Sequence, residues 1–156
     1  MMARGQTYDD IKKKVTLVCG PPGAGKTHYV KQKMRYGDLI LDLDRLFVAL
    51  SGCEKYDKPS MILPYALTAF DAVVSQLSQQ VEQHRAWVLT TAPRAEDRAR
   101  LKASLNAEVV LLDVDINTCL KRIKEDPLRS ARADQWEEII RKWWKNYKPE
   151  EVQYGT

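Results

Sequence analysis

Eight residues, Gly20-Pro21-Pro22-Gly23-Ala24-Gly25-Lys26-Thr27, constrain this chain more than any other stretch. They satisfy the pattern G-x-x-x-x-G-K-[ST] in full. The apolar run "KVTLVCG" (14–20) before them reads as a buried parallel strand, and residues 25–35 after them read as a helix. Glycine at 20, 23 and 25 admits backbone conformations that side chains forbid. The turn is therefore expected to be a phosphate cradle, with its amides and the helix N-terminus aimed at phosphate oxygens. Gly20, Gly23, Ala24 and Gly25 supply the cradle. Lys26 is placed to reach β and γ phosphates, and Thr27 to hold Mg²⁺ through its hydroxyl. His28, one residue further, can approach the nucleotide.

Length and composition narrow the setting. A chain of 156 residues with 44% hydrophobic content fits a single domain with a sizeable core, 1–156, with polar tails at 1–13 and 148–156. A net charge of +4 is too mild to argue for nucleic acid by itself. Cys19, Cys53 and Cys119 are odd in number and unclustered, which suits neither zinc nor a disulfide framework. No apolar run reaches the roughly 18 residues of a membrane span, and the N-terminus carries no signal-peptide core. The expectation is a soluble, cytoplasmic protein with no membrane partner.

Strand-like and helix-like segments alternate along the chain. "DLILDL" (38–43), "AWVLTT" (86–91) and "EVVLLDV" (108–114) read as further strands. Helical segments read at 44–50, from Pro64 to about His84, from Pro93, at 116–126 and at 133–147. This order predicts an α/β fold of the P-loop NTPase kind. Its four-stranded parallel sheet has strand order 2-3-1-4 and helices on both faces. Ligands in such sheets sit beyond the carboxyl ends of the strands, here the turns after Gly20, Asp42, Thr91 and Asp115.

Holding a triphosphate does not say what is done with it. A motor of the AAA+ kind needs an apolar strand ending in Asp-Glu, but Asp113 is followed by Val114. No Asn-Lys-x-Asp is present to read guanine. A kinase needs a carboxylate at the end of the strand after the first helix, and "LILDLDRL" supplies Asp42 and Asp44. If the strand persists, alternation sets both on one side. One can accept the proton of an attacking hydroxyl, and the other can hold Mg²⁺ through water. The competing reading makes Asp44 the cap of a helix starting at Arg45. "CLKRIKEDPLRSARADQW" offers Arg122, Arg129 and Arg132 around a short loop that can serve as a lid. Read alone, it is a solvated basic loop.

With these parts the chain resembles the P-loop kinases that include bacteriophage polynucleotide 5′-hydroxyl kinase, zeta toxin, and gluconate and shikimate kinases. The resemblance rests on 20–27, "LDLDRL", "VLTTAPRAEDRARL" (88–101) and the arginine-bearing segment 119–132. It implies ATP and Mg²⁺ as cofactors and Asp44 as the base that activates an acceptor hydroxyl. It implies Asp42 as a water-mediated metal contact, Arg122 near the adenine or the phosphates, and Arg129 and Arg132 in the lid. Thr90 and Thr91 then face the acceptor, for which a nucleotide or nucleic-acid 5′ end leads. The polynucleotide kinases set an arginine shortly after the catalytic Asp. Here Arg45 is adjacent and Phe47 occupies the matching spot. Arg94 and Arg98 could replace that contact, but read better as solvated helix residues.

Two other segments bear on function. Trp136, Ile140, Trp143 and Tyr147 recur at helical spacing, which predicts a helix docked on the core rather than a base-stacking surface. The loop 51–63, with Lys55, Tyr56 and Lys58, lies where an acceptor is met. The alternative to a kinase is an accessory nucleotide-binding protein with slow hydrolysis. It would act through a protein partner in phage DNA processing.

Overall fold

The computed structural model describes residues 14–79 and 85–147. The tails, Lys12, Lys13 and His84 lie outside the described residues. Four strands form one sheet in the order β2-β3-β1-β4, all parallel: β1 Lys14–Cys19, β2 Leu39–Leu41, β3 Arg85–Thr90 and β4 Glu108–Leu111. Six helices complete the chain: α1 Lys26–Lys33, α2 Leu43–Ser51, α3 Leu63–Gln79, α4 Ala95–Leu105, α5 Ile116–Glu125 and α6 Ala133–Asn146. The predicted architecture and strand order stand.

β1 is buried along Val15, Thr16, Leu17, Val18 and Cys19, with no polar face, because helices cover the sheet on both sides. On one face Leu17, Leu41, Val88 and their neighbours pack with Leu77 of α3 and Leu105 of α4. On the other, Val18, Trp87 and Leu89 pack against Val30 of α1. A third cluster joins Cys119, Leu120 and Ile123 of α5 to Ile140 of α6. Ile140 and Trp143 are buried, as the aromatic spacing predicts. The Trp143 indole N–H donates to the Thr91 carbonyl at 2.6 Å, which fixes α6 against the end of β3.

Several boundaries differ from expectation, each for a local reason. β2 stops at Leu41, and Asp42 leaves the strand to cap α2, which begins at Leu43 rather than Asp44. The two aspartates are therefore set by a helix N-terminus, not by strand alternation. α4 starts at Ala95 with Arg94 as its cap, two residues beyond Pro93. The stretch Ser60–Gln79 is long and apolar enough to cross a membrane by length and composition alone, with a mean hydropathy of 1.2. This corrects the expectation that nothing approaches that length. Thr68, Asp71 and Ser75 interrupt the run on one side of the helix. Its other side, with Phe70, Val73, Val74 and Leu77, packs on the sheet.

Arg98 is neither a phosphate contact nor a solvated residue. It is 1% exposed and donates to the carbonyls of Ala92 and Pro93 at 3.2 and 2.9 Å, with Tyr147 stacked 5.3 Å away. It closes the turn that carries β3 into α4. Replacing it by alanine strands partly buried carbonyls and removes the packing of a buried side chain, so Arg98→Ala is expected to cost about 2–4 kcal/mol. The denaturation midpoint of the variant measures this.

Candidate functional site

The phosphate loop runs from the end of β1 into α1. Gly23 has φ 81° and lies so close to α5 that a Cβ there would sit 2.9 Å from the Cys119 carbonyl oxygen. Any side chain at 23 would push the loop off α5. Gly25, with φ 89°, occupies the cap position of α1. No side chain caps that helix, so its first amides remain open to an anion. Gly20 and Ala24 do not line the cavity. Both are buried, and the Ala24 amide closes the turn onto the Pro21 carbonyl at 3.1 Å.

Lys26 is folded back on its own loop. Its ammonium donates to the carbonyls of Gly20 and Pro21 at 2.8 and 3.1 Å. Burial lowers its pKa from 10.5 to about 8, against the opposing pull of Asp44 and Asp42.

The carboxylates divide their work. Asp42 is buried and accepts the Asp44 amide at 3.0 Å, so Asp42 is the helix cap. Burial and the neighbouring Asp44 charge raise its pKa. Asp44 is half-exposed and ion-paired with Lys58 from the loop after α2. The capping alternative for Asp44 is thereby removed.

Pro22, Gly23, Gly25, Lys26, Thr27 and the exposed His28 line one end of a cavity of about 930 Å³. Asp42 and Asp44 border its middle, and Lys55, Tyr56 and Lys58 close one side. Beyond them it continues to Phe70 of α3, Thr90 and Thr91 at the end of β3, and Leu101 of α4. The Asp115 turn takes no part. Asp115 caps α5 by accepting the Thr118 amide at 3.0 Å, and α5 reaches the site further along its length. Arg122 of α5 borders the cavity and donates to the Gly23 carbonyl at 3.2 Å.

Of the two arginines expected in a lid, the structure brings only Arg129 to the cavity. Its Nε donates to Asp126 at 2.8 Å. Its guanidinium lies 4.5 Å from the Tyr56 ring and 5.5 Å from the Trp136 ring. Those two rings meet edge to face at 5.4 Å. Tyr56 holds a left-handed φ of 71° to reach this seat. The segment between α5 and α6 is thus joined to the loop after α2. Arg132 is exposed in the 3₁₀ turn Ser130–Arg132 and does not line the cavity. Asp126 and Trp136 also line the cavity, and sequence reasoning does not single them out for this place. The (i, i+3) spacing of Asp126 and Arg129 was the available signal, whereas Trp136 was read as core only.

Thr27, Asp42 and Asp44 present an all-oxygen donor set around one space. That suits Mg²⁺, which takes one or two carboxylates together with phosphate oxygens and waters and needs no cage of protein ligands. The residues therefore fit the ion expected with a nucleotide.

A family model described as an AAA domain, AAA_33, matches residues 15–149. A search of the curated proteins finds no match. Among solved structures, a chain of the Pnkp1/Rnl/Hen1 RNA repair complex superposes with a TM-score of 0.60 at 11% identity. The match covers 99% of this chain and 55% of that one, so this chain spans about half its length. Shikimate kinase from Acinetobacter baumannii, in complex with shikimate, gives 0.52 at 20% identity over 86% of this chain and 76% of its own. A gluconokinase from Sinorhizobium meliloti 1021 gives 0.53 at 14% identity over 92% and 79%. At these identities the likeness is one of fold, the fold of P-loop kinases. The family model spans every described residue except Lys14, and the chain belongs to the AAA_33 family of AAA domains.

Proposed function

We propose that the protein is an ATP- and Mg²⁺-dependent kinase, acting as one domain, that moves the γ-phosphate to an acceptor hydroxyl. The observation that carries this reading is a single cavity of about 930 Å³ shared by the phosphate loop, Asp44 and Arg129. A protein that only hydrolyses ATP needs room for one water beside the γ-phosphate. Here the space runs on past Asp44 to Phe70, Thr90 and Leu101, enough for a second substrate.

In this reading the acceptor oxygen bonds to the γ-phosphorus as the bond to the β–γ bridging oxygen breaks. ADP leaves, and the hydroxyl proton passes to the Asp44 carboxylate. Lys58 orients that carboxylate. Lys26, Arg122 and Arg129 supply positive charge where the phosphoryl oxygens lie. Thr27 and, through water, Asp42 would hold Mg²⁺, which would supply charge to offset that of the phosphates. The three cysteines are free thiols, which suits the cytoplasm. Resemblance to the polynucleotide 5′-hydroxyl kinases makes nucleosides, nucleotides and nucleic-acid ends the first acceptors to try. Neighbouring genes would test the phage setting that the same resemblance suggests.

Incubation of the full chain with γ-labelled ATP, Mg²⁺ and nucleosides, nucleotides, oligonucleotides or small polyols is expected to give labelled acceptor and ADP in equal amounts. Bound ATP with no transfer to any of them would sink the proposal. The accessory, partner-driven reading would then stand.

A further inference from the structure

Resting on the kinase reading, we propose that the acceptor is a small alcohol that carries no phosphate, uncharged or cationic, with an apolar flank. The far half of the cavity is walled by Leu67 and Phe70 of α3 and Leu101 of α4. Thr90 and Thr91 add hydroxyls at its floor. Its remaining charges are acidic, Asp71 and Asp97. Asp71 has no hydrogen bond or ion pair among the described residues, and Asp97 is met only from outside, by the exposed Arg100 at 3.5 Å.

An acceptor phosphate needs the opposite lining. Phosphate is gripped by arginine forks, helix N-termini or free ammonium groups. The arginines nearest the acceptor half are all turned elsewhere. Arg98 is buried under the β3–α4 turn, while Arg45 and Arg94 are exposed and outside the lining. Lys58 is paired with Asp44, and Lys55 lies over the Tyr56 ring at 4.9 Å, beside the lid. Phe47, four positions from Leu43 at the start of α2, is buried in the fold and presents no polar group. A phosphorylated acceptor would bring its charge next to Asp71 and Asp97, with like charges opposed in a confined space. A nucleoside or an amino sugar meets apolar wall, hydroxyls and carboxylates instead. A nucleoside hydroxyl satisfies both this lining and the nucleotide-like acceptor suggested by sequence resemblance, whereas a nucleotide or polynucleotide does not.

The test compares kcat/KM for labelled phosphate transfer to four probes. They are a nucleoside, an amino sugar, gluconate and a hexanucleotide with a free 5′-hydroxyl. The nucleoside or the amino sugar is expected to exceed both anionic probes by roughly tenfold or more. Asp71→Lys, at an exposed position that folding does not need, is expected to narrow that ratio by raising gluconate or hexanucleotide use. Transfer that favours gluconate or the hexanucleotide in the wild-type protein would overturn the acceptor assignment and leave the kinase standing. A ratio unmoved by Asp71→Lys would also overturn it. No transfer to any of these probes while ATP is bound would overturn the acceptor assignment, and the same result extended to nucleotides and other polyols would overturn the kinase as well.

Discussion

Asp44→Asn is expected to lower the rate of phosphate transfer by roughly 10²–10⁴-fold and to leave ATP binding intact. Asparagine keeps the size of the side chain and can still receive a hydrogen bond from Lys58, but it cannot take up the acceptor's proton. The variant is clean because the helix does not depend on this residue. Asp42, not Asp44, accepts the amide at the start of α2. Nor does Asp44 lie in the core, being half-exposed beside Lys58. Single-turnover rates with labelled ATP, set beside ATP affinity from tryptophan fluorescence, separate chemistry from binding. A rate that falls no further than the fraction of folded protein would remove Asp44 from the base role.

Arg129→Lys is expected to lower kcat by roughly 10³-fold, while Arg132→Ala stays near wild type. The two arginines look alike in sequence and differ in place. Arg129 borders the cavity, with its Nε on Asp126 and its plane against Tyr56 and Trp136. That seat leaves the far N–H groups for phosphate oxygens. Lysine keeps the charge but loses the flat fork and the stacking plane, so it cannot use the seat. Arg132 is exposed and outside the lining. A large kcat loss in Arg132→Ala with none in Arg129→Lys would show that the lid closes with the opposite residue inward.

Much of the donor end was legible because its determinants are local. Gly23 and Gly25 need positive φ, Lys26 and Thr27 follow at fixed spacing, and the strand before them is apolar throughout. The strand order followed from alternation of strands and helices together with the rules for parallel connections. The acceptor end was less legible because it depends on contacts between distant segments. The Tyr56–Arg129–Trp136 seat joins a loop, a lid and a helix that no short pattern links. Asp42 and Asp44 both border the cavity, but through a helix N-terminus, since β2 ends one residue too soon for strand alternation to apply. For Arg98 charge alone predicts exposure. Carbonyls freed by the Ala92–Pro93 turn reversed that outcome.

With the loop empty, Lys26 titrates near pH 8, whereas in the unfolded chain it does so near 10.5. A triphosphate favours the ammonium form and draws the titration back upward. In solutions more alkaline than about pH 8, each nucleotide that arrives takes a proton from the solvent with it. Affinity therefore declines as pH rises above about 8, and well below that pH Lys26 makes it insensitive to pH. The unliganded fold responds in the opposite sense. Across the same window the unfolded chain holds more protons, so Lys26 makes the empty protein more stable as pH rises. ATP and alkali thus favour opposite protonation states of the same residue, and in alkaline solution the phosphate loop exchanges protons with the solvent as it fills and empties.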